Sequence, residues 1–206
     1  MALVCGIDEA GRGPILGPMV VAGVLLDEAA EPGLRALGVK DSKRFTGKHA
    51  VERRGALALE IRRAALRVAL RVLSPAEIDA ENLGALERRT AFSLLTELRP
   101  PGRIVADGRS IFSPLERRFR DFRAEDKADV NHLAVAAASI IAKDERDRRF
   151  GRIRERYEPE FGPIEGGGYP NPKTMVFLDA YRARYGDLPP EARRKWSIRT
   201  ECSQTR

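Results

Sequence analysis

The sequence predicts a mixed α/β fold, and three observations carry that prediction. Apolar runs at residues 2–8 and 19–26 flank a Gly/Pro-rich turn, the pattern of a hairpin. A third short run, Arg103-Ile104-Val105-Ala106-Asp107-Gly108, ends in an acid and stands between helical stretches. Residues 133–142, Leu-Ala-Val-Ala-Ala-Ala-Ser-Ile-Ile-Ala, are apolar nearly all round, as in a helix buried mid-fold. Strands that come both as a hairpin and with helical connections imply a mixed sheet rather than an all-parallel one.

In chain order, the hairpin is followed by a loop from Gly33 to Gly47 around Lys40-Asp41-Ser42-Lys43-Arg44. Helical periodicity runs from about Lys48 to Ala64. Residues 66–73 partly alternate apolar and basic side chains, which predicts a strand. Ser74-Pro75-Ala76-Glu77 opens a helix, with Ser as cap, Pro at the first position and Glu at the third. That helix is expected to reach about Leu98, before Pro100-Pro101. A short strand near 119–126 precedes the buried helix. Gly162 to Thr174 forms a Gly/Pro-rich loop, and helical patterning then resumes. No internal repeat or low-complexity linker interrupts the chain. Residues 1–174 are expected to form the main domain, with 175–206 a helical extension packed on it as one structural unit.

Composition narrows the class. With 206 residues and 43% hydrophobic content, the chain suits one well-buried domain. No apolar stretch is long enough to span a bilayer, and no basic segment with an apolar run opens the chain, so cytoplasm is expected. The formal charge of +7 attracts polyanions, of which nucleic acid is the commonest, although Arg-rich helix faces such as Arg62-Arg63 and Arg88-Arg89 also suit plain solvation. Cys5 lies in an apolar strand and reads as a small core residue. His49 and His132 stand in no zinc-like spacing, and no Ser-His-Asp arrangement is visible.

The acids are more telling. Asp8 and Glu9 end the first apolar strand, immediately before Ala10-Gly11-Arg12-Gly13-Pro14. Strand side chains alternate faces, so at most one of the two points inward while the strand stays regular. Crowded carboxylates repel unless a cation sits between them. Asp107 and Asp129 are two more acids at element ends. Their ordinary alternatives are a turn-forming Asp-Gly for Asp107 and a helix cap for Asp129. If Asp8, Glu9, Asp107 and Asp129 converge, they form a hard-oxygen site suited to Mg²⁺ or Mn²⁺. Together with the basic surface, that points to metal-assisted attack on a phosphodiester, with two cations roughly 3.5–4 Å apart.

Asp8-Glu9-Ala10-Gly11-Arg12-Gly13-Pro14 with Gly17-Pro18-Met19-Val20-Val21-Ala22 resembles the signature of the type 2 ribonuclease H family, ribonuclease HII. Further matches follow in the family's order. They are Lys40-Asp41-Ser42-Lys43, Ile78-Asp79 with Asn82-Leu83, Ala106-Asp107-Gly108, Lys127-Ala128-Asp129, residues 136–143 with Arg146-Asp147-Arg148, and Gly168-Tyr169-Pro170. The resemblance spans residue 3 to about Trp196. It implies a ribonuclease H-like fold, a central mixed sheet flanked by helices with a small helical C-terminal part. It also implies endonucleolytic cleavage of RNA in RNA–DNA hybrids and cutting on the 5′ side of ribonucleotides embedded in duplex DNA, as in ribonucleotide excision repair. Products would carry 3′-hydroxyl and 5′-phosphate ends. By motif position Asp8, Glu9, Asp107 and Asp129 would be catalytic and bind Mg²⁺ or Mn²⁺.

The same resemblance implies that Gly11, Arg12 and Gly13 hold the ribonucleotide near its 2′-hydroxyl, and that Tyr169 packs on the sugar at the RNA-to-DNA step. Lys43 and Lys143 would contact phosphates. Ser139 reads either as a phosphate contact or as a hydroxyl satisfied inside its helix. Arg146 and Arg148 read either as phosphate ligands or as partners of nearby acids. Three departures stand out. Asp144-Glu145 follows Lys143 where the family has an apolar residue and threonine. The segment after Tyr169 is one residue short of the archaeal-type version. Arg193-Arg194-Lys195-Trp196 also leans archaeal-type, and no aromatic sliding-clamp motif follows it. Other classes weigh less. A non-catalytic hybrid-binding protein on this fold is expected to have lost an acid, and a DNA resolvase or integrase-like nuclease has no 2′-hydroxyl for Gly-Arg-Gly to read. The expected partners are RNA–DNA hybrid and ribonucleotide-containing duplex, with no membrane and a monomeric chain.

Overall fold

The computed structural model describes residues 2–39 and 49–196. Its five strands are β1 Leu3–Ala10, β2 Met19–Asp27, β3 Arg67–Leu73, β4 Arg103–Asp107 and β5 Phe122–Glu125. They form one mixed sheet in the order β3-β2-β1-β4-β5. The meander β1-β2-β3 is antiparallel, whereas β4 and β5 add to β1 in parallel. Alternation divides the central strands between two cores. Cys5, Ile7, Met19 and Val21 pack with Leu86, Leu94 and Leu98 of helix α4 (Leu83–Leu98) on one face. Val4, Ala10, Val20 and Ala22 face the other way, toward helix α2 (Ala50–Ala64) and the long helix α7 (Leu133–Phe161). Both faces are covered, so β1 and β2 read as nearly continuous apolar runs.

The remaining helices are α1 Glu31–Ala36, α3 Pro75–Ala80, α5 Arg109–Phe112, α6 Ala128–Asn131 and α8 Pro172–Tyr185. The C-terminal half of α7, α8 and the β1–β2 connection share a third core around Leu16, Phe150, Tyr157, Phe177 and Leu178. Among the described residues no helix is long and apolar enough to cross a membrane.

Two expectations need correction. The helix expected from Ser74 to Leu98 is two helices. Its start is as predicted, a reciprocal capping box between Ser74 and Glu77. The chain then turns extended at Glu81, and the Asn82 carboxamide oxygen accepts the Ala85 N–H at 3.1 Å, capping a second start. The loop expected from Gly33 begins in helix instead. Glu31 and Pro32 nucleate α1, in which Pro occupies a first-turn position needing no N–H. Lys43 lies outside the described residues.

One close approach fixes the architecture around the site. A Cβ at Gly6 would run into the backbone of Ala134 and Val135. With only hydrogen there, α7 lies directly on the centre of β1. Ala136, Ala137 and Ala138 keep that contact tight.

Candidate active site

Register brings the acids together. β1 and β4 run parallel with Ile7 opposite Ala106, so Asp8 and Asp107 are the next residues on neighbouring strands. Neighbours in a parallel pair share a face. Here it is the face under α7, two residues beyond Gly6. The Asp107 Oδ1 accepts the Ala128 N–H at 2.8 Å, tying the end of β4 to the start of α6. Lys127 turns there in the left-handed region, φ 60°. Asp129 therefore sits in the first turn of α6 rather than capping a helix, and it reaches the strand ends. Ligand oxygens of Asp8, Asp107 and Asp129 all lie within 4.8 Å of one another.

Asp8 and Asp129 are buried. Burial first, and then the Asp107 charge, pushes the Asp8 carboxyl up to about 7. The Ser139 hydroxyl, the Glu9 N–H at 2.7 Å and the Lys143 ammonium pull it back toward the charged form. Three crowded carboxylates with no histidine or cysteine among them suit a hard divalent cation.

Glu9 leaves β1 by the other face and is not one of the three. It lies near Glu87 of α4. Burial, then the charges of Asp8, Glu87 and Asp107, pushes its carboxyl up to about 9. Glu87 is fully buried, and its Oε1 accepts the Arg12 Nε–H at 3.0 Å. Its pKa is raised by burial against the pull of Arg12. The Oε2 atoms of Glu9 and Glu87 are buried with no hydrogen-bond partner among the described residues. The four acids are thus neighbours in charge, with three in a common ligand sphere and Glu9 beside them.

The glycines after Glu9 occupy the connection to β2. Gly11 has φ 86°, a conformation that favours glycine. The aromatic expected to accompany this loop arrives from far along the chain. The Gly168 carbonyl accepts the N–H groups of Ile15 and Leu16 at 2.9 and 3.1 Å. Gly168 takes φ 79°, and a side chain there would strike the Leu16 carbonyl. The next residue, Tyr169, lays the edge of its half-exposed ring against Gly13. The shortened segment after Tyr169 does not keep the ring from that place.

Ser139 and Lys143 stand one turn apart on α7. Asp8 lies two residues past Gly6, about 7 Å along the strand. From Ala134 that distance is about four to five residues of helix, which brings Ser139 over Asp8. Ser139 is buried and accepts the Lys143 Nζ–H at 2.8 Å, so its hydroxyl is engaged beside the carboxylates. Asp144 and Glu145 add little free negative charge. Arg148 reaches both, at 3.0 and 2.7 Å, and Arg149 pairs with Glu145 at 2.8 Å. Among the described residues Arg146 forms no ion pair with an acid. Its Nη2 donates to the Gly167 carbonyl at 2.5 Å, and its side chain packs under Gly11.

Three residues of the site region had no role assigned from the sequence. Glu87 shares a helix stripe with Thr90, Leu94 and Leu98. An acid on a stripe that is mostly apolar was the available signal. Asp79 accepts the N–H groups of Arg194 and Lys195 at 2.7 and 3.0 Å, closing a contact between residues more than a hundred positions apart. Arg193 is buried against the glycine loop, and nothing local distinguishes it from the chain's many surface arginines.

Comparison with known proteins identifies the family and the fold. The family model for ribonuclease HII matches residues 5–198. The chain is 40% identical to a ribonuclease HII of Thermococcus onnurineus, covering 94% of this chain and 86% of that protein. The crystal structure of ribonuclease H2 from Pyrococcus horikoshii superposes with a TM-score of 0.83 at 33% identity, over 95% of this chain and 94% of that one. An Archaeoglobus fulgidus ribonuclease HII, solved in complex with PCNA, matches at 36% identity and a TM-score of 0.80, over 96% of each chain. The chain therefore belongs to the ribonuclease HII family, and is a type 2 ribonuclease H acting as an endonuclease on RNA–DNA hybrids.

Proposed function

We propose that this enzyme also cuts on the 5′ side of single ribonucleotides embedded in duplex DNA, leaving 3′-hydroxyl and 5′-phosphate ends by two-metal-ion catalysis. The observation that carries the reading is the placement of Tyr169 against Gly13, a few residues from the carboxylate cluster. A device that senses a 2′-hydroxyl and a centre that attacks phosphorus then share one loop.

Asp8, Asp107 and Asp129 would hold the divalent cation, with Glu9 joining them when a second ion enters. When bound, Mg²⁺ or Mn²⁺ would activate a water and neutralise charge on the reacting phosphate. The protein's own groups do the rest. Lys143 offers an ammonium to the backbone phosphate, and Lys43 is assigned the same task from its motif alone. The amides of the exposed Arg12 and Gly13 would donate toward the ribose, with Gly11 shaping the turn before them. Without Cβ atoms, Gly11 lets the Arg146 side chain close beneath the loop and Gly13 lets the Tyr169 ring close beside it. The Tyr169 ring packs on the sugar next to the cut and tests for its hydroxyl. We read 175–206 as an extension packed on this catalytic part, and the chain as a cytoplasmic monomer.

The test is cleavage of a DNA duplex carrying one ribonucleotide, with Mg²⁺ or Mn²⁺ and with EDTA. The expected result is a single metal-dependent cut on the 5′ side of the ribonucleotide. Equal cutting of the all-DNA control overturns the reading.

A further inference from the structure

We infer that Arg193 is a positioning residue for ribonucleotide recognition, aiming the amide donors of the Gly11-Arg12-Gly13 loop. The inference rests on the ribonucleotide reading given above. Arg193 has no exposed surface. Its Nη2 donates to the Gly11 carbonyl at 2.5 Å, its Nη1 to the Arg12 carbonyl at 3.0 Å and its Nε to the Gly17 carbonyl at 3.0 Å. All three bonds end on backbone carbonyls, not on a carboxylate. A buried guanidinium without a bidentate acid partner is costly for stability alone. Its planar fork is suited to holding several acceptors in fixed directions.

The consequence follows from peptide geometry. A trans peptide is planar, with its N–H opposite its C=O, and the described residues contain no cis peptide. The Gly11 carbonyl shares a peptide with the Arg12 N–H, and the Arg12 carbonyl shares one with the Gly13 N–H. Tying both carbonyls to Arg193 turns both N–H groups away from it. Among the described residues neither amide has an internal acceptor, and Arg12 and Gly13 are exposed. Tyr169 stands on Gly13 beside them. The Arg12 side chain is held separately by Glu87, so backbone and side chain of this residue are both fixed.

The segment that delivers Arg193 is itself anchored on the same loop. The Gly17 N–H donates to the Glu191 carbonyl at 2.8 Å, and the Arg193 N–H to the Ile15 carbonyl at 2.9 Å. Asp79 holds the two following amides. The segment around Arg193 thus bears on which sugar is recognised, although it supplies no group to the cation site.

The test is the ratio of dissociation constants for two duplexes differing by one 2′-hydroxyl. Binding is measured by fluorescence anisotropy in Ca²⁺, chosen for its looser coordination to hold the duplex without turnover, with intact strands verified afterwards. Arg193→Lys keeps the charge but loses the fork, and Arg193→Gln keeps a donor without the charge. The ratio is expected to fall about two- to tenfold in both, the worth of one hydrogen bond, with affinity for the all-DNA duplex unchanged. A role in folding alone would weaken both duplexes equally and leave the ratio as it was, which would overturn the inference. Arg194→Ala, which removes the neighbouring pair with Asp187, is expected to keep the wild-type ratio. A wild-type ratio of one would instead overturn the ribonucleotide reading beneath it.

Discussion

Replacing Asp8 by Asn should stabilise the cation-free protein at alkaline pH and abolish its stabilisation by cations. The carboxyl titrates near 7 in the fold against an ordinary 3.8, because burial and Asp107 oppose its charge. Below about pH 4 the group is protonated both folded and unfolded, and it favours neither state. Between about 4 and 7 the folded protein keeps a proton that the unfolded chain has released, so stability falls as pH rises. Above 7 the full penalty is present. At 1.36 kcal/mol per unit, three units set a ceiling of about 4 kcal/mol. The charge is shared with Glu9 and Asp107, so we expect Asn to recover about half, roughly 2 kcal/mol, or about 4–8 °C in Tm for a chain of this size. The assay is differential scanning calorimetry in EDTA at pH 5 and pH 8, repeated with Mg²⁺ and Mn²⁺. The gain should be largest at pH 8 and roughly a third as large at pH 5, where the unfolded chain has already released its proton while the folded protein still keeps it. Turnover should vanish while duplex binding persists. A lower Tm for Asp8→Asn in EDTA at pH 8 would refute the electrostatic account. Undiminished cation stabilisation or full activity would refute the ligand role.

Tyr169→Ala should slow cleavage of a single-ribonucleotide duplex more than cleavage of a long hybrid. Equal losses on both substrates would reduce the ring to a packing role against Gly13. Gly6→Ala drives a methyl group into the α7 backbone, where neither element can retreat. The expected cost is at least about 3 kcal/mol, or roughly 6–12 °C in a thermal melt, and an unchanged Tm would show that α7 is not seated on β1.

Much of this protein is written locally. The alternation of residues 19–26, the Ser74–Glu77 box and the all-round apolar run at 133–142 each name their element, because period and capping are decided by neighbours in sequence. The signature from Asp8 to Pro14 likewise announced its chemistry before any fold was known. The break at Asn82 was harder to see. A side-chain cap competing with continued helix is a balance of about 1 kcal/mol that periodicity does not register.

What only the tertiary structure decided is convergence. The parallel register of Ile7 and Ala106 places Asp8 beside Asp107, and strand alternation puts Glu9 on the opposite face with Glu87. Tyr169 reaches Gly13 because two amides of the β1–β2 connection donate to the Gly168 carbonyl, a contact about 150 residues long in sequence. Arg193 is the clearest case. Its sequence neighbourhood reads as a charged surface stretch, and only its burial on three carbonyls gives it a role. Sequence by itself determined which chemical groups this protein carries and the local elements that bear them. Their directions were decided by packing, since a hydrogen bond between distant residues depends on the whole fold that closes it.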